Sequence, residues 1–281
     1  MSERAEVLQQ PAIQPVLRTK RRLLLPRQRL LGDAAVGAVL PLLVLALWQY
    51  GSSEGWISPV FMPSPLTIIQ AGAELAAAGE LTHHLGISAG RAAIGFLLGG
   101  GLGLLFGLLA GLSRNAEHVL DPSMQMLRMI PHLAIAPLII LWFGFGEASK
   151  ILIIAKGAFS PLYIHTLMGI RGVDNKLFDV ARVLAFSRRK QVVKLILPAA
   201  LPQILLGLRL SLALAWLGLV VAELLGSQAG IGFLINVAKQ NAVTANIFVG
   251  ILLFAIVGKL VDSFVRLLER KWLHWRDSFE G

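Results

Sequence analysis

Cysteine is missing altogether from the 281 residues, which removes disulfides, thiolate metal sites and thiol nucleophiles and leaves the redox compartment open. A phosphate-binding loop of the form G-x-x-x-x-G-K-[ST] is missing too. The glycine-rich run near Gly99 lacks such a lysine, so the chain binds no ATP by that route. Lysine and arginine do not occur between residues 51 and 90. Acidic residues are few, 16 against 26 basic ones, for a net charge of +10. That excess in a soluble domain would point to nucleic acid. Here 56% of residues are hydrophobic, only 15% are charged and mean hydropathy is +0.70. The chain is therefore too apolar for an ordinary soluble globule of this length, and it reads as an all-α polytopic membrane protein with no nucleic-acid partner.

What is present is a series of apolar runs, each near the length of about 20 residues needed to cross hydrocarbon. Six spans are expected, at about 31–50, 92–112, 129–146, 151–170, 203–225 and 245–265. Together they make a transmembrane domain of residues 31–265 between tails of residues 1–30 and 266–281. The first run follows a basic stretch but is long and lacks a small-residue cleavage pattern, so it reads as a retained span rather than a signal peptide. The third is short, because Leu133–Gly146 must borrow from Met129 onward. Ser64 followed by Pro65 predicts a helix start, with Gly79 ending a surface helix too polar to span. The segment 226–233, GSQAGIGF, reads as a plain interhelical loop, with a re-entrant turn as the alternative.

Charge fixes the orientation. The segments 1–30, 113–132, 171–202 and 266–281 hold 20 basic residues, against 2 in segments 51–90, 145–150 and 227–244. By the positive-inside rule the first set is cytoplasmic. Both termini and the basic insert 171–202 then face the cytoplasm of a multi-pass protein. Flanking cations such as Arg188, Arg189 and Lys190 suit acidic groups on a partner or anionic membrane lipid equally well.

Candidate functional residues inside the spans are few. Gly95, Gly99, Gly103, Gly107 and Gly111 recur every fourth residue and present one face for close helix packing. Lys156 lies about 8 Å inside the expected fourth span, where a cation either attracts an anionic substrate or snorkels to the interface. Glu223, near the outer end of the fifth span, suits a pairing or gating role. Ser160 and His165 are five residues apart and so on different helix faces, which argues against an intramembrane hydrolase. No metal site is expected.

The insert carries a resemblance. It contains Asp179-Val180-Ala181, then Ala185, then nine residues to Leu195-Ile196-Leu197-Pro198. This resembles the E-A-A-x3-G-x9-I-x-L-P loop of permease subunits of ATP-binding cassette (ABC) importers, with conservative departures at most positions. The similarity extends through LWQYGSSEGWIS, IPHLAIAPLIILWFGFGEASKI, LILPAALPQILLGLR and GKLVDSFVRLLERKWLHW, which look most like the aliphatic-sulfonate branch. The resemblance implies a type I importer permease fold in the bacterial inner membrane, working with a second copy of itself. It also implies two copies of an ABC ATPase, which bind the ATP and Mg, and an external substrate-binding protein. No cofactor is implied in this chain. Asp179, Val180, Ala181, Ala185, Leu195, Leu197 and Pro198 would form the coupling element, with Ala185 small so that a backbone can come close. Taurine, nitrate or bicarbonate, or a pyrimidine-like precursor are alternative cargoes. A channel or secondary transporter is the alternative of another class.

Overall fold

The computed structural model describes residues 27–273. Most of the expected N-terminal tail, residues 1–26, and the end of the C-terminal one, residues 274–281, lie outside the described residues. Two units are distinguished, residues 1–48 and 49–281. The first is represented by most of α1 (Arg27–Ser53), whose stretch Val36–Ser53 is apolar enough to cross a membrane despite Pro41 within it.

The second unit begins with the last turn of α1, where the Gln49 side chain accepts a hydrogen bond from the Leu66 amide (3.1 Å). That amide belongs to α2 (Pro65–Ala77), a helix started by the Ser64 hydroxyl, which accepts from the Thr67 N–H (3.2 Å). Gly79, with φ of 77°, turns the chain from α2 into α3 (Glu80–Leu112). There follow α4 (Arg114–Met129), α5 (Ala136–Phe143), α6 (Glu147–Arg171), α7 (Asn175–Val183) and α8 (Arg188–Gln191). A five-residue π turn, Val192–Ile196, leads into α9 (Leu197–Leu224), and α10 (Ile231–Gln240) and α11 (Thr244–Trp272) complete the chain. Every regular element among the described residues is helical.

The seam between α3 and α6 organises this unit. A Cβ placed on Gly95 would lie 2.6 Å from the Ile154 side chain, and one on Gly107 or Gly111 would lie 2.7 Å from Thr166 or Ile170. At Gly99 and Gly103 it would run into the backbones of Ala155 and Phe159. Only glycine lets two backbones approach this far. The partners rise in step along both helices, so α3 and α6 are parallel. On its other side α6 packs antiparallel to α9, with Gly157 beneath Leu214 and Gly207 against His165. The Ser211 hydroxyl ties the pair by donating to the Ala158 carbonyl (2.5 Å). α11 closes on α9 through Trp216, which donates to the Phe254 carbonyl (3.1 Å), and through the Arg209–Asp262 ion pair (2.8 Å).

Five helices are long and apolar enough to span: those over Val36–Ser53, Glu80–Leu112, Glu147–Arg171, Arg188–Leu224 and Thr244–Trp272. They overrun the expected apolar windows, most of all at 188–202 and 80–91, because helix continues beyond the purely apolar residues. The expected third span, 129–146, is not one helix. Ile130 is extended (φ −70°, ψ 117°), as a residue before proline prefers, and helix resumes only at Ala136. Parallel α3 and α6 still require the chain to return from the Leu112 end to the Glu147 end. α4 and α5 make that return in series, broken over residues 130–135.

Candidate functional site

Three features concentrate polar chemistry. The first surrounds Glu223, which is 0% exposed. Its carboxylate accepts from Arg91 Nη1 (2.8 Å), from the Ser88 hydroxyl (2.8 and 2.9 Å) and from the Gly232 amide (2.9 Å). The last contact places a negative charge on the exposed N–H groups that open α10, where the helix dipole favours it. Arg91, only 5% exposed, also donates to the Ala229 carbonyl (2.6 Å) and to Ser227 (3.0 Å). Its Nε and Nη2 grip Glu147 in a bidentate pair (2.7 and 2.6 Å), and Lys150 joins Glu147 at 3.0 Å. Two cations and two carboxylates thus bind α3, α6, α9 and α10 together. The segment expected to be a plain loop is instead drawn back over this cluster. Gly230 adopts φ of 109° and donates to His84 Nδ1 (3.1 Å). A Cβ on Gly232 would fall 2.5 Å from that of Glu223.

The second feature is the break between α4 and α5. Lys156 Nζ donates to the Ile130 carbonyl (2.7 Å), an acceptor left open where α4 ends. The His132 ring wedges between two glycines: a Cβ on Gly157 or Gly218 would come within 2.8 or 2.7 Å of it. Because α6 starts at Glu147, Lys156 lies about 14 Å along it, deeper than the expected span edge implied.

The third is the basic insert. Arg171 ends α6 by donating to the Ala110 carbonyl (3.1 Å) and pairing with Glu117 of α4. Asp174 then caps α7, its carboxylate accepting from the Lys176 amide (2.9 Å). Asp179 pairs with Arg182 (3.1 Å) on the exposed surface. Ala181 turns inward and is buried, while Leu177, Val180, Leu184 and Val183, the last 86% exposed, form an uncovered apolar face. The helix closes with two reverse bonds, Phe186 N–H to the Ala181 carbonyl (2.9 Å) and Ala185 N–H to the Arg182 carbonyl (3.0 Å). This closure puts its penultimate residue in the left-handed region, and Ala185 has φ of 48°. Leu195 lies in the π turn, and Leu197 and Pro198 open α9. The wide turn accommodates the proline ring, which would otherwise press on the carbonyl four residues back.

Residues 103–274 match the family described as binding-protein-dependent transport system inner membrane component. The chain is 60% identical over 245 residues to the putative aliphatic sulfonates transport permease protein SsuC of Bacillus subtilis (strain 168), covering 87% of this chain and 89% of that protein. It is 47% identical over 240 residues to the protein of the same description from Escherichia coli (strain K12), covering 85% and 91%. The Taurine transport system permease protein TauC of the same Escherichia coli strain is 34% identical over 242 residues, covering 84% and 88%. This chain belongs to the inner membrane component family.

As such a permease it is a multi-pass inner-membrane protein built of apolar helices, and its relatives are permease subunits rather than enzymes. Of the residues singled out from sequence, the fold joins Glu223 to a buried cluster, places Lys156 at the helix break, and lines the five glycines along one seam. It keeps Asp179, Val180 and Ala185 on α7 and its closing turn, apart in the chain from Leu195, Leu197 and Pro198. Sequence reasoning missed Ser88 and Arg91 as partners of Glu223, and Glu147 and Lys150 as the pair that extends the cluster through Arg91. A readable signal did exist, namely charges of both signs at matching depth in three apolar runs, since such charges pair inside the protein.

Proposed function

We propose that the chain is the membrane-embedded subunit of an ATP-driven ABC importer for small aliphatic sulfonates, which an external binding protein delivers. The 60% identity, over most of both chains, with a permease named for aliphatic sulfonates carries this reading. Two copies surround a central pathway, each resting on one subunit of a separate ATPase that binds ATP and Mg. Both termini and residues 171–202 are cytoplasmic, in keeping with the basic bias of those segments. The uncovered face of Leu177, Val180, Val183 and Leu184 suits insertion of α7 into a groove of that ATPase. Leu195, Leu197 and Pro198 seat the insert at the foot of α9. The cluster of Glu223 and Arg91 holds the segment between α9 and α10 closed at the outer mouth, acting as a latch.

Growth on an alkanesulfonate as sole sulfur source, compared with and without the chain, tests the substrate. Unchanged growth without it refutes the assignment. Growth on taurine alone would favour the second reading, which the 34% identity to a taurine permease supports. Uptake that persists after the ATPase is inactivated would replace the importer by a channel or secondary transporter.

A further inference from the structure

We infer that Lys156 and Ser160 of α6, at the break between α4 and α5, form the contact that a small sulfonate-like anion makes in crossing the membrane. The inference rests on the reading of the chain as an importer of anions. Depth is the first ground. Lys156 follows Glu147 by nine residues and precedes Arg171 by fifteen, so it lies roughly 14 Å from one end of α6 and 22 Å from the other. An ammonium group at that depth faces protein or water, not lipid, and marks a pathway in membrane proteins generally.

Pairing is the second ground. Arg91, Lys150, Arg171 and Arg209 each have a carboxylate partner. Among the described residues no carboxylate pairs with Lys156, whose one bond goes to the Ile130 carbonyl (2.7 Å). A lysine has three donors, so two remain for a ligand. Lys259 also lacks such a partner, but it stands with Ser263, Arg266 and Arg270 on the other half of α11, among headgroup-seeking cations.

Position is the third ground. α6 turns Ile154, Ala155, Phe159 and Thr166 to α3, and Gly157, Pro161 and His165 to α9. Lys156 and Ser160, one turn apart, share the remaining face and are half-buried. The gap in the third crossing lies against this face. His132, wedged at Gly157 and Gly218, fixes the gap in place. Unwound backbone is tolerated at membrane depth only where it is buried in protein or lines a water-filled cavity.

The chain has no native cysteine, so Ser160→Cys supplies this subunit with its one reporter thiol, labelled in the full transporter assembled in membranes and read on the separated subunit. Two methanethiosulfonate reagents of similar size are compared, one carrying an ethylsulfonate and the other a trimethylammonium group. Each rate is normalised to that of a free thiol in water. The anionic reagent is expected to react about a hundredfold faster, because at roughly 6 Å and an effective dielectric of about 40 a single positive charge speeds the anion about tenfold and slows the cation by about as much. Lys156→Gln, which can still donate to the Ile130 carbonyl, should abolish the preference, and Lys156→Arg should restore it. If Lys156→Gln does not assemble, Lys156→Met is read in its place, since it keeps the length of the side chain without the charge, and a preference retained there overturns the inference. An unreactive thiol, or equal rates for the two reagents in the parent, overturns the inference. Labelling needs neither transport nor ATP. A retained preference without sulfonate uptake would therefore sink the proposed substrate and leave the pathway standing.

Discussion

Replacing Glu223 by alanine removes four hydrogen-bond contacts at once, and their separate consequences can be worked out. Arg91 keeps its bidentate grip on Glu147 and its bond to the Ala229 carbonyl, so the cation is not stranded. It loses one charge-assisted bond, worth about 1.5–3 kcal/mol. The Gly232 amide, bound to Glu223 at 2.9 Å, is left buried without a partner at about 1–3 kcal/mol. The expected cost is therefore about 2.5–6 kcal/mol. Arg91→Met should cost as much or more, because it strands a fully buried carboxylate with only Ser88 and the Gly232 amide. Glu223→Ala combined with Arg91→Met removes both charges, so its cost should fall short of the sum of the single changes by about 1–3 kcal/mol. Reversible unfolding in mixed micelles, read by tryptophan fluorescence, measures all three. Costs that add to within about 0.5 kcal/mol would show that the pair is not coupled and refute the account of the cluster.

Other predictions are more local. Gly99→Ala should prevent native packing, since its Cβ would enter the Ala155 backbone, whereas Gly101→Ala meets nothing within 4 Å and should gain roughly 0.5–1 kcal/mol in helix propensity; folded yield in detergent separates them. Ala185→Gly should stabilise the end of α7 by about 1 kcal/mol by relieving the left-handed strain, seen as slower proteolysis of the 171–202 segment. Asp174→Ala should cost α7 about 1 kcal/mol for the lost cap, and faster amide exchange at Lys176 would report it.

Elements whose cause is local were legible in the sequence. Ser64-Pro65 and Gly79 bound α2 because capping and left-handed geometry depend on a few adjacent residues. The four-residue glycine period marked a packing face for the same reason. That α6 is the partner of that face was not readable, since it arises from tertiary pairing across residues 113–146, whereas the parallel arrangement follows from the one crossing expected between the second and fourth spans. The third crossing is broken where Pro131 holds Ile130 out of helix, a stop that apolar content does not show. At Ala185 the motif suggested a need for smallness, and the fold adds a positive φ that no sequence period shows. Glu223 was recognised as notable, but its side-chain partners Arg91 and Ser88 lie 132 and 135 positions away, beyond any local pattern.

The interlocked backbones of α3 and α6 also have a mechanical meaning. Two parallel rods meshed at five successive points resist sliding and bending, so they turn together. α7 hangs from the foot of that beam by only Gly172, Val173 and Asp174, and the Arg91–Glu147 pair crosses its head. A tilt of about 5° at the foot of a rod some 36 Å long moves the head by about 3 Å, roughly the length of one hydrogen bond. A stroke that small, arriving from below, is enough to part or close the contacts around Glu223.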